Sequence, residues 1–176
     1  MAILEIIEVP HPLLAKRARE VGAEEFGEAL AVHLRDMAET MYAAPGVGLA
    51  APQVADPRRI LVIDPGFEGE DGENQKGRDL YKMVNPEITE KSTDTILWEE
   101  SCLSVPEMTI QVKRHRRVTV AWQDASGAEL EKVFEDFDAV VVQHELDHLE
   151  GVTLLDRSSR LKRSRYLKRQ KKRQRV

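Results

Sequence analysis

At 176 residues, with 41% hydrophobic and 32% charged side chains, the chain is long enough for one domain with its own core, and no apolar run approaches the roughly 20 residues of a membrane helix. The start MAILEIIEVP is interrupted by Glu5 and Glu8 and lacks a basic lead, so it does not read as a signal peptide, and a single cysteine excludes an internal disulfide and makes the cytoplasm the default location. The net charge of −5 conceals 11 Lys or Arg and no acidic residue in residues 157–176, against 15 basic and 31 acidic residues before them. That split argues against DNA or another nucleic acid as partner of the body and leaves the tail free for an acidic one.

In chain order, FGEALAVHLRDMAETMY places Phe26, Leu30, His33 or Leu34, Met37 and Met41 at helical spacing, which predicts an amphipathic helix stopped by Pro45-Gly46. His33 falls on the apolar side, at the core or its rim. RRILVID and DLYKMVNPEI read as strands, and the Gly-rich charged stretch Pro65–Asp79 between them as a solvated loop. TILWEESCLSVP, MTIQVK and RRVTVAWQ are β-rich, and DASG marks a turn before AELEKVFED. FDAVVVQHELDHLEG then predicts a helix closed by Gly151; its three successive valines cost only some tenths of a kcal/mol each in helix propensity. The basic end is expected to be helical around Leu161 and Leu167.

Strands segregated from helices predict an α+β fold. Antiparallel or mixed sheets surround a central helix carrying the histidines, with an N-terminal and a C-terminal helix besides. The expected organisation is one domain over residues 1–156 and a basic helix or tail over residues 157–176.

QHELDHLEG contains His-Glu-x-x-His. On a helix, His144 and His148 project about 40° and about 6 Å apart from one face, and can share one transition ion. Glu145, one step around, can reach a water beside that ion. The plain alternative is a solvated helix that carries two histidines by chance. A catalytic ion usually takes three protein ligands. In the familiar proteases the third lies downstream, but after Glu150 this chain has no His, Glu or Cys. Gly151 fits the longer protease pattern, yet Leu154 stands where its histidine belongs, and Asp156 is the only downstream carboxylate. Upstream the one soft donor is Cys102 in WEESCLSVPE; a lone cysteine is often just a small buried hydrophobe, but Glu99, Glu100 and Ser101 beside it favour the ligand reading. His11, His33 and His115 compete for the place without motif context.

GVGLAA also matches a dinucleotide fingerprint, Gly-x-Gly-x-x-Ala. That fingerprint needs a strand before it and a helix after it; here a helix precedes and Pro52 follows. The other reading is a tight loop packing the first helix on the sheet.

GVGLAAPQ at Gly46–Gln53, ESCLS at Glu100–Ser104 and QHELDHLEG at Gln143–Gly151 together resemble the three signature motifs of peptide deformylase, and VPHPLLAKRAREV and RRILVID extend the similarity over about residues 3–160. The resemblance implies removal of the formyl group from the N-formyl-methionine of newly made chains, releasing formate. It implies one divalent ion, iron(II), with zinc, nickel and cobalt also suited, on Cys102, His144 and His148. Glu145 would be general base and then acid. The Gln53 amide and the Leu103 backbone N–H would hold the oxyanion, and Gly48 would contact substrate through its backbone. Val47, Phe137, Val140 and Val141 are placed to line an apolar pocket for the methionine chain, or else are plain core. One departure is Ser101, where the family usually has glycine; a serine there implies an ordinary backbone angle or some strain. The resemblance also implies a C-terminal helix that docks on the ribosome, with no membrane partner. Two other readings stand beside it: an endopeptidase on the same ion, told apart by cleavage of unformylated peptides, and a non-catalytic RNA-binding protein whose structural metal would need a fourth ligand.

Overall fold

The computed structural model describes residues 2–66 and 79–173, so most of the expected solvated loop at Pro65–Asp79 lies outside the described residues. The first helix, α1, spans Glu28–Ala43 and buries Leu30, Leu34, Met37, Ala38 and Met41, the stripe its spacing predicts. His33 sits at the rim of that stripe, its Nε2 2.9 Å from Asp56.

Five strands form one antiparallel sheet: β1 Gly48–Ala50, β2 Ile60–Ile63, β3 Tyr81–Lys91, β6 Arg117–Gln123 and β7 Glu129–Glu135, in the order β1-β2-β3-β6-β7. β4 Thr95–Cys102 and β5 Val105–His115 pair with each other in a second, two-stranded sheet. The run ILVI of β2 is wholly buried because both of its faces are covered. Successive side chains of a strand point to opposite faces. Ile60 and Val62 accordingly join α1 and Leu49 in one core, while Leu61 and Ile63 join a second core with Met83, Val120 and Phe134.

The second core is closed by helix α2, Asp136–Leu149, which follows β7 with no loop between them. Asp136 makes the turn at φ 48, a left-handed angle that Asp tolerates better than most residues. Ala139, Val141, Val142, Leu146 and Leu149 face the sheet. Burial of each such side chain, worth about 1.5–3 kcal/mol, outweighs the poor helix propensity of the valines. Past the helix, Gly151 takes φ +74, and a Cβ there would lie 2.9 Å from the backbone of Ala15 and Lys16. Only glycine fits that close approach.

The chain closes with a one-turn helix, α3 Leu154–Arg157, and α4 Arg160–Arg173. Leu154, Leu155 and Tyr166 pack with Cys102, Val105, Met108, Ile110 and Val112, and Leu167 lies against this third core. α4 is the helix expected around Leu161 and Leu167; Leu161, six residues before Leu167 and about 120° around the helix from it, is 60% exposed.

Candidate metal centre and active site

Strand β4 and helix α2 supply the two halves of the site. Alternation along β4 buries Glu100 and Cys102 while Glu99 and Ser101 stay exposed. On α2, His144 and His148 lie one turn apart with ring centroids 5.2 Å from each other. The Cys102 sulfur is 3.3 Å from His148 Nε2. One ligand-capable atom from each of Cys102, His144 and His148 falls within 4.8 Å of the other two, and the described residues contain no other such group. His11, His33 and His115 are engaged elsewhere: His11 caps a short 3-10 turn, His33 meets Asp56, and His115 Nδ1 lies 2.7 Å from the Ser92 carbonyl. Asp156 accepts from the Thr153 N–H and hydroxyl and pairs with Arg163.

Charge and proton placement suit an ion. Burial disfavours a cation on His148, and the neighbouring His144 and Arg114 depress its pKa well below the usual value, so its ring stays neutral with a lone pair free. His144 Nδ1 lies 2.8 Å from Glu100 Oε2. Glu100 is itself buried, which opposes its charge, but hydrogen bonds from Arg114 and His144 outweigh that and lower its pKa to about 2. An ionised carboxylate can only accept, so Nδ1 is the donor, and His144 Nε2 is the ring nitrogen left to meet an ion once it gives up its proton. One thiol and two imidazole nitrogens make a donor set that fits a divalent transition ion.

Beside this group is a cavity of about 380 Å³ lined by Val47, Gly48, Gln53, Trp98, Leu103, Phe137, Val140, Val141, His144 and Glu145, among others. Burial pushes the Glu145 carboxyl up to about 7, with the Glu100 charge adding to the shift and His144 opposing it. Its Oε2 is buried with no hydrogen-bond partner among the described residues. A buried carboxylate oxygen without a partner is costly unless something else meets it there. Gln53 is held in one orientation: its Oε1 accepts from the Ala50 N–H at 2.8 Å. Nε2 is thereby turned toward the Ser104 hydroxyl, at 3.2 Å, and the Cys102 sulfur, at 3.8 Å.

The comparisons with known proteins agree on one family. The family model for polypeptide deformylase matches residues 3–164. A peptide deformylase of Phenylobacterium zucineum is 45% identical over 98% of this chain and 97% of its own. The crystal structure of peptide deformylase from Ehrlichia chaffeensis superposes with a TM-score of 0.87 at 34% identity, over 99% of this chain and 98% of that one. The chain belongs to the polypeptide deformylase family. A further family member, the class I type b enzyme of Acinetobacter baumannii in its Met-Ala-Ser-bound crystal structure, superposes with a TM-score of 0.80 at 36% identity over 89% of this chain and 99% of its own.

As a deformylase-family chain it departs at Ser101, whose φ lies outside the left-handed region; the serine needs no unusual backbone and stands exposed at the cavity wall. The dinucleotide reading of GVGLAA fails on context: α1 precedes it, and a 3-10 turn, Ala51–Val54, follows β1. Sequence reasoning missed three neighbours of the site. Trp98 shares its strand face with Glu100 and Cys102, and its ring lies 5.3 Å from that of Phe137 across the cavity mouth. Glu100 carries no sequence signal beyond its place as a polar neighbour of Cys102. Arg114 was missed although Met108, Ile110 and Val112 mark its face of β5 as buried, and an arginine on such a face demands paired carboxylates.

Proposed function

We propose that this protein is a metal-dependent peptide deformylase that hydrolyses the formyl group from the N-terminal formyl-methionine of newly made chains, releasing formate and a free amine. The observation that carries the reading is the meeting of Cys102, His144 and His148, from two distant segments, beside the unpartnered Glu145 carboxylate in an apolar cavity. Met-Ala-Ser, bound in the Acinetobacter baumannii relative, is the peptide that deformylation of formyl-Met-Ala-Ser would leave.

Cys102, His144 and His148 would hold the ion, iron(II) in the working enzyme, which when bound supplies an acidified water and a Lewis acid for the formyl oxygen. Glu145, poised near neutrality, accepts the proton of the attacking water and delivers it to the departing amine. Gln53 Nε2, fixed by the Ala50 contact, and the Leu103 N–H donate to the developing oxyanion. Val47 and Gly48 border the substrate backbone. Phe137, Val140 and Val141 surround the unbranched methionine chain, which fits such a wall through its flexible thioether. The cytoplasm is the expected site of action. The solvent-facing cations of α4, among them Arg165, Lys168 and Lys172, are suited to the phosphates of the ribosome, in a contact that weakens with salt.

Formate release from a formyl-Met peptide, with metal content measured, tests the reading. Wild-type protein is expected to turn over and Glu145→Gln to lose roughly 10²–10⁴-fold. Cleavage of internal bonds in unformylated peptides, without formate release, would transfer the site to the endopeptidase reading.

A further inference from the structure

The support behind His144 does not stop at Glu100. Arg114 grips Glu100 with two prongs, Nε to Oε1 at 2.8 Å and Nη2 to Oε2 at 2.9 Å. Its third nitrogen, Nη1, donates to Asp147 Oδ2 at 2.6 Å. Asp147 is gripped in turn from outside by Arg157, Nε to Oδ2 at 3.0 Å and Nη2 to Oδ1 at 2.6 Å. Charges alternate along the line, and exposure rises from 4% at the Glu100 and Arg114 side chains through 17% at Asp147 to 41% at Arg157. Arg157 ends α3, whose Leu154 and Leu155 are buried in the same core as Cys102, and it stands three residues before α4.

Without Arg157, Asp147 would keep a single contact to Arg114 and could turn its carboxylate to solvent, and Arg114 would be free to shift against Glu100. Planar two-pronged pairs fix direction as well as charge, which a point cation cannot do. We infer that Arg157 is a positioning residue for the metal centre: through Asp147, Arg114 and Glu100 it sets the His144 ring that meets the ion, so that the root of the basic C-terminal helix is part of the site's support. The inference rests on the metal-centre reading given above. The competing view is an ordinary surface ion pair, worth little to the fold and nothing to the metal.

The test is metal affinity. Full-length cobalt-loaded protein is challenged with graded chelator, and thermal unfolding is followed alongside. Removing a direct partner of a ligating histidine typically weakens binding about 10–100-fold. For Arg157→Ala, three contacts further out, the expected loss is about 3–10-fold, and Arg157→Lys, which keeps charge and stem but not the fork, is expected to lose most of the same. Arg163→Ala removes the Arg163–Asp156 pair near the same helix root and should leave affinity unchanged. In a Glu100→Gln background, Arg157→Ala should add less than about twofold, because residues acting along one line are not additive. Wild-type affinity in Arg157→Ala or Arg157→Lys, or the same loss with and without Glu100, would overturn the inference. Wild-type protein that takes up no cobalt would instead overturn the metal-centre reading.

Discussion

Gly48 and Glu145 adjoin so closely that a Cβ on Gly48 would overlap the Glu145 carboxylate. The glycine of the first motif is thus what allows the buried acid of the third to stand at the cavity wall.

Gly48→Ala is therefore expected to displace Glu145 while leaving the three ion-binding side chains in place. Misplacement of a reacting group by about 1 Å can lose roughly 10²-fold in rate, and a loss of that order is expected in formate release at unchanged metal content. A variant that keeps full turnover would show that Glu145 does not need its present position.

Trp98 and Phe137 form the aromatic mouth of the cavity. Trp98→Ala removes an aromatic wall whose ring contacts are worth about 0.5–1.5 kcal/mol beyond burial, so kcat/KM for formyl-Met peptides should fall about 2–13-fold, with metal content unchanged. Unchanged kcat/KM would remove Trp98 from the substrate's path.

Much of this arrangement is legible in sequence because it follows strand and helix periods. The double burial of Ile60–Ile63, the stripe of α1 and the i, i+4 histidines each follow from spacing alone. That Cys102 meets those histidines follows only from which strand α2 lies against, a tertiary fact with no local signal. Arg114 shows a different limit. The alternation of β5 marks its face as buried, but its partners Glu100 and Asp147 sit 14 positions before it and 33 after it.

The rim of α1 gives the protein a pH-dependent contact remote from the metal. Burial opposes the charge of Asp56, but hydrogen bonds from His33 and Arg58 outweigh it and hold the carboxyl well below the usual carboxylate range. A carboxylate with a depressed folded-state pKa stabilises above its unfolded value, near 4, and loses that contribution as pH falls toward the folded value. Asp56→Asn should accordingly melt below wild type at pH 6–7, with the gap closing as pH falls below about 4. A gap independent of pH would mean that the carboxylate's charge is not what stabilises.

A thiolate on iron(II) is exposed to oxidation at both the metal and the sulfur. The iron-loaded protein should lose activity in air faster than the nickel-loaded protein, measured as half-lives of formate release. Equal half-lives would contradict iron(II) as the labile partner of Cys102.

X-ray absorption on the zinc-loaded, full-length protein probes most directly whether Cys102, His144 and His148 share one ion. One sulfur neighbour at about 2.3 Å and nitrogen or oxygen neighbours at about 2.0–2.1 Å are expected, with the sulfur shell gone in Cys102→Ser. A spectrum of the wild-type protein without sulfur would contradict the account.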